Sequence, residues 1–235
     1  MQESSSVKYR IKFSKNGAIK YIGHLDVMRY FQKVIRRSGL PVKYSEGYSP
    51  HQLLSFAFPL SVGYTSDGEY FDMALTDKVN EDEIKARLND HMDQGILIEK
   101  VKELPEKAGN CMSLVFAASY KIRVKEKISL GDDFKEKTLD FLSQETIPVN
   151  KPKKKGGGFV SIDLKEYLYD YKFIDDRTLY ICVNAGSETN IKPSFVMETI
   201  LGSQGMDIPE NPFMIHRVDI YENVSEDAIE LRPLI

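Results

Sequence analysis

Apolar and basic residues alternate along Val7-Lys8-Tyr9-Arg10-Ile11-Lys12-Phe13, the two-residue period of a strand with one buried face. Asn16-Gly17 predicts a turn, after which residues 18–22 resume an extended pattern. From His24 the period lengthens. Leu25, Met28, Phe31 and Ile35 recur at three- and four-residue spacing, which predicts an amphipathic helix ended by Gly39, with Pro41 behind it. Arg29, Lys33, Arg36 and Arg37 fall on its outer face and last turn, where cations suit the helix dipole.

Residues 42–51 are rich in Gly, Ser and Pro and read as a shaped loop; residues 53–60 read as a strand closed by Pro59. Alternation returns at 70–75 after Asp67-Gly68. Asn80 caps a helix over 81–92, Gly95 closes it, and 96–104 make a further strand. This order is that of a split βαβ, ferredoxin-like domain over 7–104. A polar link at 105–110 leads into a second pass of the same order. It has strands at 114–125, 147–149, within 159–173, at 178–183 and at 214–221, and helices at 132–143 and 193–201, the last opened by Pro193. The expectation is an α+β protein of tandem ferredoxin-like domains, 7–104 and 111–222.

Length and composition permit this, since 235 residues accommodate two domains and 42% apolar with 29% charged residues is ordinary globular content. No apolar run is long enough to span a bilayer, and the polar start, Met1 to Ser6, is unlike a secretory signal. Two distant cysteines, Cys111 and Cys182, exclude a cysteine-clustered zinc or iron–sulfur centre held by this chain alone. The expectation is a cytoplasmic protein with no membrane partner, no metal site and no cofactor of its own.

Charge changes the picture. Net charge is −3, yet residues 7–43 hold ten bases against one acid, Asp26, leaving this stretch at +9 and the remainder at −12. A local field of that sign can draw in a polyanion despite the acidic whole; a solvated helix face is the plainer explanation. A second basic feature is Lys151-Pro152-Lys153-Lys154-Lys155 running into Gly156-Gly157-Gly158. Its lysines offer point charges, and its glycines offer backbone N–H groups to phosphate. As a hairpin tip it would be merely solvated.

Candidate chemistry is sparse. No Walker A, Rossmann, nucleophile-elbow or zinc-protease pattern occurs. Of four histidines, His91 reads as surface decoration and His216 as a packed strand residue. His24 stands at the strand-to-helix junction with Asp26 two residues on, placed either to act as general acid or base beside the arginines or simply to cap the helix. His51 lies in the Gly/Pro loop with Tyr44 and Tyr48.

The run His24-Leu25-Asp26, then Arg36 through His51 (RRSGLPVKYSEGYSPH), then Ser55-Phe56-Ala57-Phe58-Pro59-Leu60-Ser61-Val62-Gly63 and Gly68-Glu69-Tyr70-Phe71-Asp72, resembles the bacterial radical-SAM-associated proteins. That family has no assigned function and is encoded beside, or fused to, a B12-binding-type radical SAM protein. The likeness is specific over about 7–75 and looser to about 200, where Lys154-Lys155-Gly156 and Ser161-Ile162-Asp163-Leu164 also fit. It implies a radical SAM partner, because this chain lacks the Cys-x-x-x-Cys-x-x-Cys ligands. It also hints at RNA, since family genes often lie near ribosomal-protein and RNase E/G-type genes. At the fold level the chain is similar to CRISPR repeat-processing endoribonucleases, some of which use a histidine near the first helix. It departs from them in placing its glycine-rich loop mid-domain.

Three functions follow. The first is an RNA-binding module that presents ribosomal or transfer RNA to the radical SAM partner. In it Arg29, Lys33, Arg36, Arg37, Lys43, Lys153, Lys154 and Lys155 hold phosphates with Gly156 and Gly157, and Tyr44, Tyr48 and His51 meet unpaired bases. The second is a protein-docking subunit whose basic face meets an acidic surface of that partner. The third is a metal-independent endoribonuclease using His24.

Overall fold

The computed structural model describes residues 6–153, 156–187 and 189–235. It divides into two compact units: residues up to Ala117 together with Arg217–Ile235, and Ala118–His216. Both are mixed α+β.

The first unit runs β1 (Val7–Lys15), α1 (His24–Ser38), β2 (Leu54–Phe56), β3 (Thr65–Leu75), α2 (Glu81–Asn89) and β4 (Ile96–Glu103). Its strands lie in the order β4-β1-β3, with β2 on the far side of β3 and every one of these pairings antiparallel. That is the split βαβ arrangement. Tyr9, Ile11 and Phe13 of β1 and Phe71, Met73 and Leu75 of β3 face the helices, meeting Val27, Phe31, Val34 and Ile35 of α1 and Ile84 and Leu88 of α2. Phe13, Phe31, Phe56 and Phe71 form one aromatic cluster with ring centroids 4.7–6.2 Å apart. Each buried phenyl contributes about 1.5–3 kcal/mol.

Local signals set the helix ends. Gly39 takes the left-handed conformation at φ 63° that closes α1. Arg87 of α2 donates to the Ser38 carbonyl from Nε and Nη2, at 3.0 and 2.8 Å, placing a cation at the negative end of α1. Asn80 caps α2 by accepting from the backbone of Asp82 and Glu83.

Several elements differ from the pattern-based expectation. Residues 17–21 are a 3-10 turn, not extended chain, because Lys15 Nζ donates to the carbonyls of Lys20 and Ile22 and holds the turn closed. Strand β2 is three residues long. The link contains a single helical turn, α3 (Cys111–Leu114), capped by Asn110.

The second unit contains β5 (Ala117–Val124, whose first residue belongs to the first unit), α4 (Phe134–Ser143), β8 (Leu168–Asp175), β9 (Thr178–Asn184), α5 (Pro193–Ser203) and the start of β10 (Phe213–Asn223). Strand order β10-β5-β9-β8 repeats the arrangement of the first unit. Between α4 and β8 a separate antiparallel hairpin is inserted, β6 (Pro148–Pro152) and β7 (Phe159–Asp163). Residues 159–173, read from the sequence as one strand with a turn or short helix after it, are two strands joined by a 3-10 turn at Leu164–Tyr167. From Arg217 onward β10 belongs to the first unit, where β11 (Leu231–Pro233) pairs with it.

Candidate nucleic-acid interface

Strand β1 carries its charges inward as well as outward, which revises the +9 field. Arg10 is 3% exposed and makes a two-pronged pair with Asp72, Nε to Oδ1 at 2.7 Å and Nη2 to Oδ2 at 3.0 Å; it also donates to the Gly109 and Leu234 carbonyls. Lys12 donates to Asp219 Oδ2 at 2.6 Å, and the Tyr70 hydroxyl donates to the other oxygen of the same carboxylate. Lys15 is fully enclosed. The link and the C-terminal segment supply the carbonyls that meet Arg10, so the outer side of this sheet is no open, aromatic reading surface. Three of the ten bases are thereby withdrawn from the surface.

What remains exposed is concentrated on α1. Arg29, Lys33 and Arg36 lie on the helix face opposite Phe31 and Ile35, with Arg37 at its edge. Arg29 pairs with Asp26 at 3.3 Å. Lys33, Arg36 and Arg37 have no carboxylate partner among the described residues, so their fields act outward.

The loop over 42–53 stands beside this face. Its ends are fixed by Lys43 N to Ala74 O at 2.8 Å and Leu53 N to Lys43 O at 2.9 Å. Gln52 anchors it to the helix, donating from Nε2 to the Gln32 carbonyl at 3.2 Å and to the Tyr44 hydroxyl at 3.5 Å. The Gln52 Oε1 atom is buried without a partner among the described residues. At the loop's neck Ser45 Oγ lies 2.8 Å from His51 Nδ1. Above it Tyr48 stands wholly in solvent, and Tyr44 is partly exposed. A loop carrying two accessible phenol rings and an imidazole is therefore tied, through Gln52, to the helix that carries the exposed cations.

His24 is placed differently. It is the first residue of α1, but the cap position is Gly23 and no side chain caps this end. The His24 ring packs edge-on against Phe56, with centroids 5.7 Å apart, in a pocket shared with Lys15 and Glu69. Burial pushes its pKa below the ordinary value, and the Lys15 ammonium adds to the effect, so the ring is neutral at pH 7. Asp26 serves Arg29 and not this imidazole.

Lys153, Gly156 and Gly157 belong to the β6–β7 hairpin of the second unit. Lys153 N donates to Gly158 O, and all three glycines have φ between 69° and 81° and are exposed. Lys154 and Lys155 lie outside the described residues.

Sequence reasoning passed over the buried charges Lys15, Glu69, Asp72, Arg217 and Asp219, and over Gln52. A signal was present. Glu69 and Asp72 lie on a strand whose pattern pairs it with the basic strand β1. Among the described residues no helix is long and apolar enough to cross a membrane.

The profile of a family described as "Uncharacterized protein conserved in bacteria (DUF2344)" matches residues 8–193. No curated protein matches the chain. Solved structures similar to it include a chain of a Cbf5-Nop10-Gar1 complex, at 11% identity and TM-score 0.43, covering 90% of this chain and 48% of that one. This chain thus spans about half the length of that relative. An unknown protein from Galdieria sulphuraria aligns at 8% identity, TM-score 0.28, over 91% and 99% of the two chains. The first two RRM domains of yeast poly(U) binding protein Pub1 align at 10% identity, TM-score 0.19, over 90% and 98%.

Proposed function

The chain belongs to this DUF2344 family of bacterial proteins, and we propose that it is an RNA-binding module that presents its RNA to a partner enzyme. The observation that carries the reading is that Gln52 pins a loop bearing Tyr44 and Tyr48 to the helix of Lys33, Arg36 and Arg37, cations without carboxylate partners among the described residues. Phosphates draw on point charges, and unpaired bases draw on accessible aromatic faces; the first unit offers both, on α1 and on the loop tied to it. Tyr48, with no packing of its own, is a stacking platform that costs nothing to uncover. Lys43 at the foot of the loop and the Lys153 hairpin of the second unit add further phosphate contacts in this reading. The partner is a radical SAM enzyme, as the resemblance over about residues 7–75 implies, and the RNA is ribosomal or transfer RNA.

The test is a salt series of binding to labelled single-stranded RNA in EDTA, with the same samples on a denaturing gel. Each phosphate contact contributes a slope of about −0.7 in log affinity against log salt for single strands. Arg36→Glu/Arg37→Glu should lower affinity at least about tenfold and flatten the slope by one to two contacts. An unchanged slope in that variant removes α1 from the interface. Discrete cleavage lost in His24→Ala would instead make the protein a nuclease.

A second reading has its own observation. Tyr21, Leu25 and Val62 are exposed apolar side chains at the start of α1, at 67%, 65% and 58%. Gly63 N donates to Lys20 O, which brings the two segments together. Such a patch beside cations suits a partner protein with an acidic, partly apolar surface. Co-purification with the radical SAM partner that resists nuclease and fails in Leu25→Asp would favour docking without RNA.

A further inference from the structure

On the outer side of the first unit's sheet, next to the foot of the Tyr44–Tyr48 loop, lies a recess of about 230 Å3. Its walls are mainly apolar, with Leu53 and Ala74 beside Leu104 and Ala108 of the link. Ala74 accepts the Lys43 amide, so the recess and the loop share a backbone hydrogen bond.

The polar groups at the recess have unequal spare capacity. Asp72 is spent, since both its oxygens are taken by Arg10 and one also accepts from Cys111 N at 2.8 Å. Asn110 Oδ1 is spent as well, accepting from Ser55 Oγ and from Met112 N. What is left over is donor capacity: the Asn110 amide N–H groups and the Lys8 ammonium, which is exposed and has no carboxylate among the described residues. An occupant must therefore bring an apolar body, hydrogen-bond acceptors and negative charge. Its size is limited to one ring system with a short attachment.

We propose that this recess takes a single nucleotide, its base between Leu53 and Ala108, a base carbonyl or ring nitrogen on the Asn110 amide, and its phosphate on Lys8. The inference deepens the RNA-binding reading and rests on it for the source of the nucleotide. A free mononucleotide and a nucleotide splayed out of bound RNA offer the same chemistry.

The experiment is amide NMR of the full chain titrated with UMP, AMP, inorganic phosphate and single-stranded RNA, in the wild type, Ala108→Phe and Lys8→Glu. A nucleotide should shift the amides of Ala74, Ala108 and Gly109 with a Kd on the order of 1 mM or tighter, while inorganic phosphate leaves them in place. Ala108→Phe fills the recess and should weaken nucleotide binding at least about tenfold while keeping the salt slope for RNA. If that variant unfolds, exposed Lys8→Glu decides the matter by losing about fivefold or more. Silence of these amides at about 10 mM of either nucleotide, or shifts that phosphate reproduces, overturns the recess and leaves the α1 reading standing on its salt slope. Nucleotide binding together with a flat RNA salt series would do the opposite, leaving a free-nucleotide site and removing the RNA interface.

Discussion

Arg217 holds both carboxylate oxygens of Glu69 from Nη1, at 2.8 and 3.0 Å, although the two residues lie 148 positions apart. Both side chains are almost wholly enclosed, and Arg217 also donates to the Phe58 and Pro59 carbonyls while its guanidinium covers the Phe58 ring. The pair clamps β10 and the segment after β2 onto β3, within the unit that carries α1. Lys15 stands beside it as a second buried cation.

Removing one member of this pair strands the other in low dielectric. Glu69→Gln should therefore cost about 3–5 kcal/mol in urea unfolding, whereas Glu69→Leu with Arg217→Met, which strands no arginine and leaves only Lys15 on its two carbonyls, should cost less than either single change. A single variant within about 0.5 kcal/mol of wild type would mean that the clamp does not hold the unit together.

The approach of β10 to β3 rests on a missing side chain. A Cβ on Gly68 would lie 2.6 Å from the Asp219 Cα and 2.7 Å from the Val218 carbonyl oxygen, both backbone atoms that can yield only by moving the strand. Gly68→Ala is expected to destabilise by about 2–3 kcal/mol or more, read as a fall in Tm. Wild-type stability in that variant would contradict the strand spacing described here.

The neutral state of His24 makes stability depend on pH. Its folded pKa lies below the ordinary 6.5, so between those two values the unfolded chain binds more protons than the folded one. Stability from this group is full above pH 6.5 and falls as pH drops toward the folded pKa. Proton NMR should place the His24 imidazole titration below 6.5, and His24→Leu should flatten the stability slope just below that pH. A His24 titration above 6.5 would refute its burial beside Lys15.

Both thiols are inert in the native state. Burial pushes Cys111 and Cys182 up to about 12, so the thiolate that reacts is scarce at neutral pH. An aromatic disulfide reagent should find no free thiol in native buffer and two after unfolding. Prompt native reaction of either would show it to be accessible.

Base stacking and phosphate contact can be told apart at Tyr48. Because this ring packs on nothing, Tyr48→Ala should leave stability within about 0.5 kcal/mol. It should cost about 1–3 kcal/mol in RNA affinity with the salt slope unchanged. Loss of slope would assign the loop to phosphate instead.

Much of this molecule was legible in its residues because the information is local. The two-residue period of β1 and the spacing of Phe31 and Ile35 fix which faces are apolar, and an apolar face must be covered whatever lies elsewhere in the chain. Leu25, placed in the same stripe by its spacing, is exposed, and Val27 and Val34 complete the buried face instead. Gly39 at φ 63° and Asn80 at a cap act within one turn of backbone. The exposed cations of α1 follow from the same wheel, since they sit opposite its buried stripe. The 3-10 turn at 17–21 escaped the pattern because it is held by Lys15, a charge whose burial depends on what packs over it.

What the sequence by itself determined, then, is the order of elements, the βαββαβ arrangement, and the outward cations on α1. Tertiary structure alone decided the fate of the other charges. Arg10 and Lys12 alternate along β1 as regularly as any solvent-facing set, yet Asp72, Asp219 and the carbonyls of Gly109 and Leu234 take them up. Whether a charge is spent on a carboxylate or left to act outward depends on segments up to 224 positions away along the chain. A periodicity read over a few neighbours carries no record of them.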